Sequence, residues 1–168
     1  MPYIMTIVSL LAADSIIKCL VEKQKKFDGT LRIGKRIIIK RYHNRGAMLN
    51  LGDKNQYFIA LLSLVFSAFV TGIFAATLGM KGKRLLKSGL ALILGGAYSN
   101  TYDRLKRKYV VDYFSLSIFD QQHLDQQKYS GRLLGKVGAK FSSIVFNLAD
   151  FGIIIGAMLM IISELGSE

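Results

Sequence analysis

Apolar residues gather into four blocks, residues 3–20, 57–78, 85–98 and 144–162, instead of recurring at helical spacing through the chain. A helix needs about 20 mostly apolar residues to cross roughly 30 Å of hydrocarbon. The first, second and fourth blocks have that length. The third is weaker, because Lys87 lies near its start and it turns polar at Ser99 and Asn100. A soluble bundle of buried helices would carry a polar stripe at helical period. None runs through residues 59–79 or 151–162, and neither stretch contains a charge. The pattern predicts an all-α membrane fold of four transmembrane helices, near 3–20, 57–78, 85–100 and 144–162, in a single integral membrane unit over residues 1–168.

The segments between the blocks are basic. Within the first, residues 31–42 interleave isoleucine with Arg32, Lys35, Arg36, Lys40 and Arg41, which predicts one or two short strands. The second, residues 79–88, is a tight basic turn, and the third, residues 103–143, is the longest. A formal net charge of +12 placed between spans suits anionic membrane lipids as partners. The chain outside the spans is too short for a nucleic-acid reading surface. Counting lysine and arginine alone assigns the first and third segments to the cytoplasm. Cys19 is the only cysteine, so an intramolecular disulfide and a cysteine metal cluster are both excluded. Gly152 and Gly156 form a GxxxG in the last span, read as close packing against a neighbouring helix of the same bundle.

An ionisable residue inside a span costs about 3 kcal/mol, which makes it a candidate functional group. Asp150 lies in the last block and is followed by apolar residues and glycine through Ile162; Asn147, three residues earlier, is expected on the same helix face. Asp112 sits in the apolar stretch Val110-Val111-Asp112-Tyr113-Phe114. Asn100, Asp103 and Arg104 close the third span, Asp14 and Lys18 lie four apart near the end of the first, and His43-Asn44-Arg45-Gly46-Ala47 precedes the second. Helix-end caps and snorkelling charges are an adequate account of Lys18, Asp103 and Arg104, but a poor one of Asp150. Two aspartates brought together favour acid–base chemistry, because neighbouring carboxylates cannot both ionise and one keeps a proton while the other acts as base. His43 and His123 do not form a zinc spacing, and neither a metal nor a cofactor is expected.

Taken in order, these segments resemble the signal peptidase II, or lipoprotein signal peptidase, family. Asp14-Ser15-Ile16-Ile17-Lys18 is similar to the family's Asp-Gln-x-x-Lys, and Asn44-Arg45-Gly46-Ala47 to its Asn-x-Gly-Ala. Residues 95–104, Gly-Gly-Ala-Tyr-Ser-Asn-Thr-Tyr-Asp-Arg, resemble Gly-Gly-Ala-x-Gly-Asn-x-x-Asp-Arg. Val110-Val111-Asp112-Tyr113 resembles Val-Val-Asp-Phe, and Phe146-Asn147-Leu148-Ala149-Asp150 resembles Phe-Asn-x-Ala-Asp. The resemblance implies one membrane aspartyl endopeptidase domain, with a small β-structured element on the outer face of the bacterial cytoplasmic membrane. It implies Asp112 and Asp150 as catalytic dyad, Asn44, Gly46, Asn100, Arg104 and Asn147 as site-shaping residues, and Asp14, Lys18 and Asp103 as structural support. The implied substrate is a diacylglyceryl-modified prolipoprotein cut just before its lipidated cysteine, and the implied inhibitors are globomycin-like cyclic peptides.

Some positions depart from the pattern. Ser15 stands for glutamine, Ser99 for glycine, and Met48-Leu49-Asn50 for Ala-Phe-Ser. Asp112 and Asp150 are 38 positions apart, a wider spacing than the family's. In the added chain, Lys128, Arg132, Lys136 and Lys140 recur every fourth residue. Residues 121–140 therefore form either a basic amphipathic cover at the headgroup boundary or a loop broken by Gly131, Gly135 and Gly138. Two other functions compete: a specialised relative that trims one dedicated lipidated peptide, and a non-catalytic protein that binds anionic lipid.

Overall fold

The computed structural model describes residues 1–23, 31–33, 37–46, 55–116 and 144–166. Four long helices form: α1 (Pro2–Lys23), α2 (Gln56–Leu78), α3 (Arg84–Arg107) and α4 (Leu148–Leu165). Two of them start on a side-chain cap. Asn55 Oδ1 accepts from Phe58 N at 3.0 Å at the start of α2, and Asn147 caps α4. The outward face of α2 exposes Phe58, Leu61, Leu62, Val65, Phe66 and Phe69. A soluble helix would not leave so continuous an apolar face in water, whereas lipid takes it at no cost.

The four expected helices all form, and the third is the least apolar, as its sequence predicts. Three helices, α1, α2 and α4, are long and apolar enough to cross a membrane; α3 is not. The reason is its position: α3 packs against each of the other three helices. Its polar residues Lys87, Ser99, Asn100, Thr101 and Asp103 are all buried against protein. A helix wrapped by its neighbours has no lipid to satisfy and can carry the polar side chains of a site.

Glycine sets how closely α4 approaches α3. A Cβ on Gly89 would lie 2.6 Å from the Gly156 carbonyl oxygen, and one on Gly156 would lie 2.5 Å from that of Gly89. A Cβ on Gly96 would collide with the carbonyl oxygen of Ala149. The GxxxG at Gly152 and Gly156 thus serves packing within the bundle, as the sequence predicts.

A small antiparallel sheet joins the helices, in the order β1 (Leu31–Ile33), β2 (Ile37–Asn44), β3 (Val110–Leu116) and β4 (Val145–Phe146). The first two strands are those expected from the isoleucine-rich segment. The other two were not read as strands, although Val110-Val111 and Phe114 are β-branched and aromatic. Chain direction changes after α3 at Lys108, which caps that helix in the left-handed region with φ 67°. The ladder between β2 and β3 pairs Ile39 with Phe114 and Tyr42 with Asp112, so β2 carries one extra residue there, a bulge. Val21, Val111 and Tyr113 form a buried cluster that seats the sheet on the end of α1. Residues 121–140, the expected cover, lie outside the described residues.

Candidate active site

Asp112 lies on β3 and is 2% exposed. Both of its oxygens accept from side-chain amides: Oδ1 from Asn147 Nδ2 at 2.6 Å and Oδ2 from Asn44 Nδ2 at 3.1 Å. Burial, and next the negative charge of Asp150, push the Asp112 carboxyl up to about 7, against the opposing pull of these two donors.

Asp150 is in the first turn of α4. Asn147 is not on the same helix face, as its spacing predicted; it is the N-cap, with extended backbone at φ −126° and ψ 174°. The two residues form a capping box. Asn147 Oδ1 accepts from Asp150 N at 2.9 Å, and Asp150 Oδ2 accepts from Asn147 N at 3.1 Å. The cap reading set aside for Asp150 is therefore half right: one oxygen caps the helix. The other, Oδ1, accepts from Asn100 Nδ2 at 2.9 Å. Asn147 thus touches both carboxyls, Asp112 through its side chain and Asp150 through its backbone.

Behind the carboxyls lies a buried charge network. Lys18, 1% exposed, contacts Asp14 Oδ2 at 2.7 Å and Asp103 Oδ2 at 3.1 Å, and donates to Asn100 Oδ1 at 2.8 Å. Asn147 Nδ2 donates to the same Asn100 oxygen at 3.3 Å. Two donors on Oδ1 leave Nδ2 of Asn100 to face Asp150, so Lys18 sets the direction of that amide. Asp103 also accepts from Val111 N at 3.4 Å, tying α3 to the strand that carries Asp112.

Arg104 Nη2 donates to the Gly46 carbonyl at 3.3 Å, and Gly46 N donates to Asn44 Oδ1 at 3.2 Å. Its buried Nε has no hydrogen-bond partner among the described residues. All ten residues singled out from sequence, Asp14, Lys18, Asn44, Gly46, Asn100, Asp103, Arg104, Asp112, Asn147 and Asp150, are joined in this one constellation by the contacts above.

Residues 6–166 match the signal peptidase (SPase) II family. The chain belongs to that family. Two solved structures have the same fold, each described as a bacterial membrane enzyme determined by the in meso method, at 2.3 Å and 1.9 Å resolution. The first is 19% identical with a TM-score of 0.73, covering 98% of this chain and 88% of its own. The second is 20% identical with a TM-score of 0.73, covering 99% of this chain and 94% of its own. Membership in the signal peptidase II family makes this chain a membrane peptidase of lipoprotein processing.

In this signal peptidase II chain the site opens into a cavity of about 540 Å³. Asp112, Asp150, Asn44, Asn100 and Arg104 line it, together with the apolar Leu62, Phe66, Ile153 and Ile154. These apolar residues come from α2 and α4, which flank α3.

Two contributors were missed in the sequence. Tyr113, next to Asp112, donates to Asp14 Oδ1 at 3.1 Å and accepts from Leu148 N at 2.9 Å, joining α1 to the start of α4. Burial and the charge of Asp14 push its hydroxyl above the usual tyrosine range. Ser99, where the family pattern has glycine, donates to Asp14 Oδ2 at 2.5 Å and accepts from Lys18 at 3.3 Å. Its place at the polar end of the third span was the available signal; Tyr113 offered none beyond its neighbour.

Proposed function

We propose that this protein is an aspartyl endopeptidase that removes the signal peptide from diacylglyceryl-modified prolipoproteins just before the lipidated cysteine, with Asp112 and Asp150 as its catalytic dyad. One observation carries the reading: two carboxyls share the single residue Asn147 and open on a cavity lined by both polar and apolar side chains. A lipid-modified peptide needs both, one for the scissile amide and one for its acyl chains and apolar signal segment.

Asp112, pushed up to about 7, is the member that holds the proton. Asp150 is the carboxylate; it lies in the first turn of α4, at the positive end of the helix dipole. The carboxylate takes a proton from a water, whose oxygen adds to the scissile carbonyl carbon, while Asp112 gives its proton to the carbonyl oxygen. In the second half Asp150 returns its proton to the departing nitrogen, and Asp112 takes one from the gem-diol as the carbonyl re-forms. The C–N bond breaks and the dyad regains its starting state. Asn44, Asn100 and Asn147 hold the carboxyls, and Arg104 lines the cavity beside them.

The proposal includes a single domain in which α3 is the fourth crossing segment. The sheet and dyad lie at the outer face of the bacterial cytoplasmic membrane, both termini are inside, and globomycin-like peptides compete for the cavity. This orientation runs against the lysine and arginine count, but the dyad must meet an exported substrate. The test is cleavage of a diacylglyceryl-modified lipobox substrate by purified protein, alone and as Asp150→Asn. Loss of about 10²–10⁴-fold or more is expected for removal of an acid–base group. Activity within about threefold of the parent, far below that range, would refute the aspartyl mechanism.

A further inference from the structure

Asn44 holds Asp112 from the last residue of β2, and beyond the bulge only Tyr42, His43 and Asn44 remain paired to β3. Strand ends fray, and a bulge beside them weakens the ladder that would hold the register. Something outside the ladder must fix this end. Neighbouring side chains on a strand point to opposite faces. Asn44 turns to Asp112, and His43 turns away, to the end of α1, where its Nε2 lies 2.6 Å from Glu22 Oε1. A carboxylate only accepts, so Nε2 carries the hydrogen, and both the Nε2–H tautomer and the imidazolium make this bond. The His43 ring also lies against the Tyr109 ring, with centroids 4.2 Å apart. Arg41, two residues earlier, donates to the Glu22 carbonyl oxygen at 3.5 Å, in the last turn of α1.

We infer that His43 is a positioning residue: with Glu22 it latches the end of β2 onto α1 and so keeps the Asn44 amide on Asp112. The inference rests on the proposed role of Asp112. Arg41 and His43 both reach Glu22 while Asn44 faces the cavity. In the sequence His43 stood at the head of the group that runs to Ala47 and, with His123, lacked a zinc spacing, and neither gave it a role.

The test uses the full chain in detergent micelles, as parent, His43→Ala, Glu22→Ala, the double variant and His43→Gln, the alanine and parent forms also in an Asn44→Ala background. Hydrogen exchange read by mass spectrometry reports on the latch without any substrate. Exchange in peptides covering 40–46 is expected to quicken about three- to tenfold in either single variant, the scale of one exposed ion pair plus one ring contact, with no further gain in the double and no change in α2 or α4. Cleavage of the lipidated substrate is expected to lose about the same factor in kcat with KM unchanged, and His43→Gln, which keeps a donor, to recover to within about twofold of the parent. With Asn44 already alanine, His43→Ala should cost nothing more. Unchanged exchange at 40–46 in His43→Ala would overturn the latch, as would an equal kcat loss with and without Asn44. If the parent fails to cleave, the proposed function falls, and the exchange data still decide the latch.

Discussion

Asn147→Ser separates the two tasks of the residue that touches both aspartates. Serine is as good an N-cap as asparagine, so its hydroxyl keeps an acceptor for Asp150 N. What it removes is Nδ2, and with it the 2.6 Å bond to Asp112 and the 3.3 Å bond to Asn100. A hydrogen bond to a charged group contributes about 1.5–3 kcal/mol, and one pKa unit corresponds to about 1.4 kcal/mol. A carboxylate that loses a donor is harder to ionise, so the Asp112 carboxyl, now near 7, must rise. The retained Asn44 bond limits the rise, and about one unit is expected from the lower end of that range. Activity ends on the alkaline side where the dyad loses its one proton, so that limb of the pH profile moves upward by the same amount. Asn147→Ala loses the donor and the cap together. It should show the same limb shift plus about 1 kcal/mol of destabilisation, which lowers Tm by about 2–4 °C for a chain of this length. The assays are kcat against pH with a lipidated lipobox substrate and thermal unfolding in detergent. A limb that stays in place or moves down in Asn147→Ser would refute the electrostatic role, and equal Tm values for serine and alanine would refute the cap.

Asp112→Asn should match Asp150→Asn in loss of cleavage while both variants stay folded, read by kcat together with thermal unfolding; a large difference between them would break the dyad. Gly96→Val forces a side chain into the Ala149 carbonyl and should push α4 from α3, costing about 1–3 kcal/mol in Tm measurements and lowering kcat, because Asp150 begins the same turn. For orientation, cysteine placed at Gly82 should label from the cytoplasm and cysteine at Gln127 from outside; the reverse pattern would support the charge count over the proposed topology.

Membrane character was open to a reader of the chain, because hydrocarbon thickness sets a length that can be counted along residues 57–78 and 144–162. Asp150 was visible for the same reason, as a charge at the head of an apolar run. Asp112, Asn44 and the residues 95–104 were legible through their order and type, which resemble the family pattern. The third span was the weakest in the sequence because apolarity reports on lipid contact, and α3 has little of it; only the packing of three helices around it explains why Lys87, Ser99 and Asn100 can be buried there. Asn147 was placed on a helix face because spacing cannot tell a first turn from the residue that caps it. The convergence of Asp112 and Asp150 was beyond any local pattern. It depends on the register of β3 beside a bulged β2, on glycines that bring α4 against α3, and on which way the amide of Asn100 turns between Lys18 and Asp150. Periodicity and motif order are properties of neighbouring residues, whereas the hydrogen bond from Asn147 to Asp112, across 35 positions, exists only once the chain has closed around it.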